Sequence, residues 1–227
     1  MSFEAKYHIQ VIIVSSGAIA SAKMKLNKKW KTLPEKQALS ALGQPMIMDF
    51  YNTALASHRL FGAQVLLSYS DLKNTKSKTN FKNTIKQLLK WNVVPILNEN
   101  DATSTEEIQF GDNDFLSALV ACEMKVQKLI LMTNVDGVYD KNPKNSDACL
   151  VSEIRKITPS MIKKLMSAKG SKMGRGGMGS KLQAAKKASE RSIQTYIVRG
   201  TQPKVLQNIA QGKNPGTLVD IKKSRNK

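Results

Sequence analysis

Cysteine is scarce in this chain. Cys122 and Cys149 are far apart and in no metal or redox spacing, which excludes a disulfide framework or a thiol metal site. Long apolar runs are missing too, and no stretch approaches the ~20 residues a membrane helix needs. The start, Met1-Ser2-Phe3-Glu4-Ala5-Lys6, has neither a basic cap nor a long apolar core, so it does not read as a signal peptide. Aromatics make up 6% of the residues and are not interleaved with basic ones, which argues against a base-stacking surface. A soluble cytoplasmic protein with no membrane partner is the expectation.

What is plentiful is positive charge. The formal net charge is +19, and lysines and arginines crowd Lys23 to Lys31, Lys73 to Lys90 and Arg155 to Lys187. Such a charge attracts nucleic acid non-specifically at low salt. A lysine-rich solvated face is the preferred reading, with no specific nucleic-acid partner. The 227 residues are 41% hydrophobic, enough for one large α/β domain or two small ones at most.

Strand and helix patterns alternate. Val11–Val14, Val65–Leu67, Val93–Leu97, Leu129–Met132 and Thr195–Val198 are short apolar runs that read as buried strands. Pro95 counts against a central position for its strand. Helical periods run over 35–61, with a break near Gly43-Gln44-Pro45 that predicts two helices ending at Gly62. Others cover Asn80–Lys90, with Phe81, Ile85, Leu88 and Leu89 on one side, then Phe115–Ala121 and Leu182–Arg191. The alternation predicts a mainly parallel central sheet covered on both faces, a three-layer α/β/α sandwich. One domain spans 1–219 and a basic tail follows at 220–227. Ligands of such folds bind beyond the carboxyl ends of the strands.

Four strand ends or loops stand out there. Ser15-Ser16-Gly17-Ala18 places small residues between a strand and a helix, where backbone N–H groups can grip an anion. Many such turns bind nothing. Asn98-Glu99-Asn100-Asp101 ends the next strand, and Gly111-Asp112-Asn113-Asp114 follows. From Trp91 to Met124 this very basic chain has no lysine or arginine, yet Glu99, Asp101, Glu106, Glu107, Asp112 and Asp114 lie there. Oxygen ligands so gathered suit a substrate ammonium group or a hydrated Mg²⁺. A polar loop with a capping aspartate accounts for one acid but not for the cluster, and EF-hand spacing is absent. Asp136-Gly137, after Leu131-Met132-Thr133-Asn134, taken alone reads as a turn that reverses direction. Gly174-Arg175-Gly176-Gly177-Met178-Gly179-Ser180-Lys181 is not a Walker A loop, because Ser180 takes the lysine position and no strand precedes it. A glycine-rich loop ending in a lysine at a helix start still suits phosphates; a mobile surface loop is the bland alternative.

Taken together, Val14 to Ala20, Lys36-Gln37-Ala38-Leu39, Asn98–Asp101, Gly111–Asp114, and Gly176-Gly177-Met178 with Lys181 resemble the glutamate 5-kinases of the amino-acid kinase family. The likeness runs from about Val11 to Leu218, and its paired Asn98–Asp101 and Gly111–Asp114 segments are the most specific part. It implies the amino-acid kinase fold and ATP-dependent phosphorylation of L-glutamate with Mg²⁺. It also implies a homo-oligomer and a downstream glutamyl phosphate reductase. Ser16, Gly17, Ala18, Asp101 and Asn113 would contact glutamate. Thr133, Asn134 and the segment Gly174 to Lys181 would hold the nucleotide. Lys181 would serve phosphoryl transfer rather than folding, Asp114 would hold its geometry, and no residue is assigned as a metal ligand.

There are departures. The family opens with a strand bearing a lysine and a glycine-serine turn, a unit on the order of 30 residues that would precede Val11, and many members carry a C-terminal PUA-type domain. Without that strand the resemblance implies little activity, and with it restored, turnover. Arg175 replaces a usual small residue and Asn134 a usual aspartate. An inactive relative that keeps amino-acid binding, or a kinase for another small carboxylate, are the other readings.

Overall fold

Val93–Glu99 forms a parallel strand with a neighbour on each side, and five of its seven residues are buried. The computed structural model describes residues 9–26, 30–103, 113–162 and 177–221. The chain divides into two compact units, Met1–Asn113 and Asp114–Lys227.

The first unit runs β1 (Ile13–Val14), α1 (Ala18–Leu26), α2 (Leu33–Ala56), β2 (Phe61–Leu67), α3 (Tyr69–Lys73), α4 (Thr75–Lys90) and β3 (Val93–Glu99). Its sheet has the order β1-β3-β2. Ile13 pairs with Ile96, and Phe61 to Leu67 pair with Val93 to Glu99. β3 is central despite Pro95. Leu97 O accepts from Ser15 N at 2.8 Å, so alternate groups of β3 face β1, those of Pro95 among them. Pro95 thus lacks its donor just before the first register pair with β1.

α2 is one helix through Gly43-Gln44-Pro45, not two. Pro45 is exposed, and so is Ala41, whose carbonyl loses its intrahelical donor and is left to water. Gly43 is where α2 meets the start of α1: a Cβ there would lie 1.8 Å from Ala18 O. The helix also ends earlier than expected. Phe61 and Gly62, read as its end, instead open β2, with Gly62 N donating to Asn52 Oδ1 at 3.1 Å. α3 and α4 start on side-chain caps, Ser68 accepting from Asp71 N and Asn74 from Ser77 N. Leu39, Phe81, Ile85, Ile96 and Leu97 are buried in this unit.

The second unit contains most of α5 (Asn113–Met124), then β4 (Lys128–Thr133), β5 (Glu153–Ile154), α6 (Met178–Ser189), β6 (Gln194–Arg199), α7 (Val205–Ala210) and β7 (Thr217–Val219). Its sheet has the order β4-β6-β7-β5. Among the described strand pairs of the chain only β6–β7 is antiparallel. Leu131, Val138, Ile197 and Val219 form the core with Leu182, Ala184, Ala185 and Ala188 of α6. Thr217 is fully buried because its hydroxyl is used twice, accepting from Val138 N at 2.8 Å and donating to Val151 O at 2.6 Å. The expected class, α/β with mainly parallel strands, is what the structure has. Of the basic tail, 222–227 lie outside the described residues.

Candidate active site

In the first unit the strand ends converge on one amide. Gly17 has φ +101, a left-handed backbone that favours glycine, and its O accepts from Ser21 N at 2.8 Å to start α1. Ser16 is exposed and Ala18 buried on either side of it. Asn113 Nδ2 donates to Ser15 O and, at 3.0 Å, to Asn98 Oδ1, tying the end of β1 to the end of β3. Asn113 Oδ1 is buried and has no hydrogen-bond partner among the described residues. Asp101 lies in the turn after β3, where Ser40 Oγ of α2 donates to its Oδ2 at 3.1 Å. The structure thus brings Ser15, Asn98 and Asn113 into one cluster and holds Asp101 through α2. Glu106, Glu107, Gly111 and Asp112 lie outside the described residues.

Sequence reading missed Ser40 and Gln44. Both are buried in α2, four residues apart, beside Leu39 and Ile47. Polar side chains inside an apolar helical stripe were the available signal.

In the second unit Lys181 Nζ donates to Asp114 Oδ1 and Oδ2, each at 2.8 Å. Lys181 is 7% exposed. A lone buried ammonium costs several kcal/mol, and the carboxylate offsets this. Beside the role in phosphoryl transfer that the resemblance implies, Lys181 thus has a buried ion-pair partner in Asp114. α6 starts at Met178 rather than Leu182, so Met178, Gly179, Ser180 and Lys181 form its first turn. That turn carries no acidic residue, and the N–H groups of Met178, Gly179 and Ser180, which have no backbone partner among the described residues, suit an anion. Gly177 precedes it in extended conformation, while Gly174, Arg175 and Gly176 lie outside the described residues.

Thr133 ends β4 and its O accepts from Gly200 N at 2.9 Å; exposed Asn134 follows. The turn beyond does more than reverse direction. Arg199 Nε donates to Asp136 Oδ1 at 2.7 Å, and Arg199 Nη2 and Tyr139 OH donate to Asp136 Oδ2 at 3.1 and 2.9 Å. The Arg199 hydrogen bond, followed by that of Tyr139, holds the Asp136 carboxyl below its ordinary pKa; the same contact with Asp136 raises the Tyr139 phenol. No described group of three or more His, Cys, Asp or Glu could hold a metal ion. No described helix is long and apolar enough to cross a membrane.

The sequence pattern of the amino acid kinase family matches residues 3–199. A glutamate 5-kinase of Clostridium acetobutylicum is 42% identical over 213 residues, covering 92% of this chain and 79% of that protein. One of Clostridium perfringens is 41% identical, covering 94% and 82%. In one of Thioalkalivibrio sulfidiphilus, 40% identical, the match covers 92% of this chain but 56% of that protein. Among solved structures, carbamate kinase from Giardia lamblia gives a TM-score of 0.61 at 17% identity, over 96% of this chain and 85% of that one. Uridylate kinase from Archaeoglobus fulgidus gives 0.58 at 19%, over 95% and 87%. These two likenesses concern the fold alone.

Proposed function

The chain belongs to the amino acid kinase family, and from that premise we propose that it uses ATP to phosphorylate the side-chain carboxylate of L-glutamate. The product is glutamyl 5-phosphate, the first intermediate of proline biosynthesis. The observation that carries this reading is the likeness, at 40–42% identity over nearly the whole chain, to proteins named glutamate 5-kinase.

The residues fit the chemistry. Glutamate is held by Asp101, Asn113 and the Ser16-Gly17-Ala18 turn. Asp101 faces the α-ammonium as its counter-charge. The nucleotide is held by Thr133, Asn134 and the segment Gly174 to Lys181, whose helical end presents backbone N–H groups to phosphate oxygens. The attacking group is a carboxylate with an ordinary pKa of about 4.3, ionised at neutral pH, so no general base is needed. What the protein supplies is alignment with the γ-phosphate and positive charge for the loose transition state. An ammonium has three donors. Asp114 takes two and fixes the direction of the third, which Lys181 offers to the transferring phosphoryl group.

Mg²⁺ enters this reading with the nucleotide. The described residues build no carboxylate cage, which suits an ion that keeps phosphate and water oxygens as its ligands. A homo-oligomer, a cytoplasmic location and hand-over of the acyl phosphate to glutamyl phosphate reductase complete the proposal; the first and third follow from the family resemblance, the location from the scarce cysteines and the start of the sequence.

Calorimetry with L-glutamate tests it. The wild type binds and Asp101→Ala loses at least about tenfold in affinity, the scale of one charge-assisted contact. Equal affinities contradict the assignment.

A further inference from the structure

Asn113 is the last link of a chain of four amides. Exposed Gln64 on β2 donates Nε2 to Gln44 Oε1 at 2.9 Å. Asn98 Nδ2 donates to the same oxygen at 3.3 Å, and Asn113 Nδ2 donates to Asn98 Oδ1 at 3.0 Å. Gln44 and Asn98 are 6% and 4% exposed, so neither amide can turn to water instead.

Backbone groups set the sense of this chain. Glu99 N–H donates to Asn98 Oδ1 at 2.9 Å, and only an oxygen can stand there. Glu99 O accepts from Gln44 Nε2 at 3.4 Å, so Gln44 Oε1 must face Asn98. Ser15 O accepts from Asn113 Nδ2, and only a nitrogen can stand there. Every amide therefore has one orientation, and it ends by presenting Asn113 Oδ1, an acceptor, buried and unpartnered among the described residues. An unpaired buried acceptor is costly unless a ligand donor meets it.

We propose that Gln44, with Gln64 behind it, is a positioning residue for substrate recognition: by accepting from Asn98 Nδ2 it joins the backbone contacts in holding the Asn98–Asn113 amides in place, so that Asn113 Oδ1 accepts a hydrogen bond from the substrate ammonium. This rests on the glutamate reading. At neutral pH the ammonium is glutamate's one strong donor, both carboxylates being acceptors only. The relay thus selects for an amino acid over a plain dicarboxylate.

The test is calorimetry on the full chain at pH 7.5, with L-glutamate and with glutarate, which has both carboxylates and no ammonium. Gln44→Leu, of similar size, should bind L-glutamate at least about tenfold more weakly than wild type, while glutarate binds the wild type no better than it binds Gln44→Leu. If Gln44→Leu does not fold, exposed Gln64→Leu replaces it, with a loss of a few-fold for L-glutamate only. Equal L-glutamate affinities in wild type and variant, or an equal loss for glutarate, overturn the relay and leave the kinase reading standing. A wild type that binds no L-glutamate overturns both.

Discussion

Lys181 Nζ lies 2.8 Å from each carboxylate oxygen of Asp114, and both side chains are largely buried, at 9% and 14% exposure. Removing one partner of a buried ion pair costs about 3–5 kcal/mol. Lys181→Met should therefore lose stability and, by losing a preorganised charge, lower turnover by ~10²–10³. Lys181→Met/Asp114→Asn removes both charges of the pair. It should regain much of the stability in urea unfolding while turnover stays low. A double variant that recovers turnover would remove Lys181 from the reaction.

A methyl group at position 43 has nowhere to go, because a Cβ would overlap Ala18 O, C and Cα. Gly43→Ala must push α2 away from the start of α1. The expected cost is about 1–3 kcal/mol, as for overpacking elsewhere. Weaker glutamate binding should accompany it, because Ala18 directly follows Ser16-Gly17. A urea midpoint and glutamate affinity equal to wild type would contradict this packing.

Asp136 sets an acid limit. Its ordinary pKa is 3.8, and the Arg199 and Tyr139 hydrogen bonds lower it in the folded state. A lowered carboxyl pKa contributes stability that is complete above the unfolded value and lost as pH falls through the folded one. Melting temperatures should carry no Asp136 contribution to pH dependence between pH 7 and 5, and should lose this contribution below about pH 4. In Asp136→Asn that acid-range loss should shrink. An unchanged acid profile would show that the pair does not titrate with folding.

The charge of +19 makes a separate forecast. If it is a solvated lysine face, binding to DNA or RNA is weak and vanishes near physiological salt. Binding that survives such salt and distinguishes sequences would mark a nucleic-acid partner.

The longer elements were legible because their periods repeat. Val93–Leu97 and the Phe81–Ile85 face both stand where the apolar pattern puts them, with ends that move by a few residues. The two-residue β5, three-residue β7 and the short α3 and α7 offer no period to read. Pro45 misled because its cost depends on exposure of Ala41, which only the packed helix decides. In the candidate site, the basic-free window pointed to the segments that carry Asp101, Asn113 and Asp114 because charge composition is visible in sequence, while their individual roles came from the family resemblance. Gln44 and Ser40 offered only the weak signal of polar residues within an apolar helical stripe, since a glutamine or serine in a helix otherwise reads as a solvent-facing residue until its neighbours are known. The Asp136–Arg199 pair joins residues 63 apart in sequence, and no local pattern announces it.

Trapping the acyl phosphate tests the central claim most directly. The protein is incubated with ATP, Mg²⁺, L-glutamate and hydroxylamine, which captures glutamyl 5-phosphate as its hydroxamate. Hydroxamate should form in step with ADP, require L-glutamate, and fall sharply when L-aspartate replaces it. ADP release that is indifferent to L-glutamate, or a better yield from another acceptor, would contradict the account.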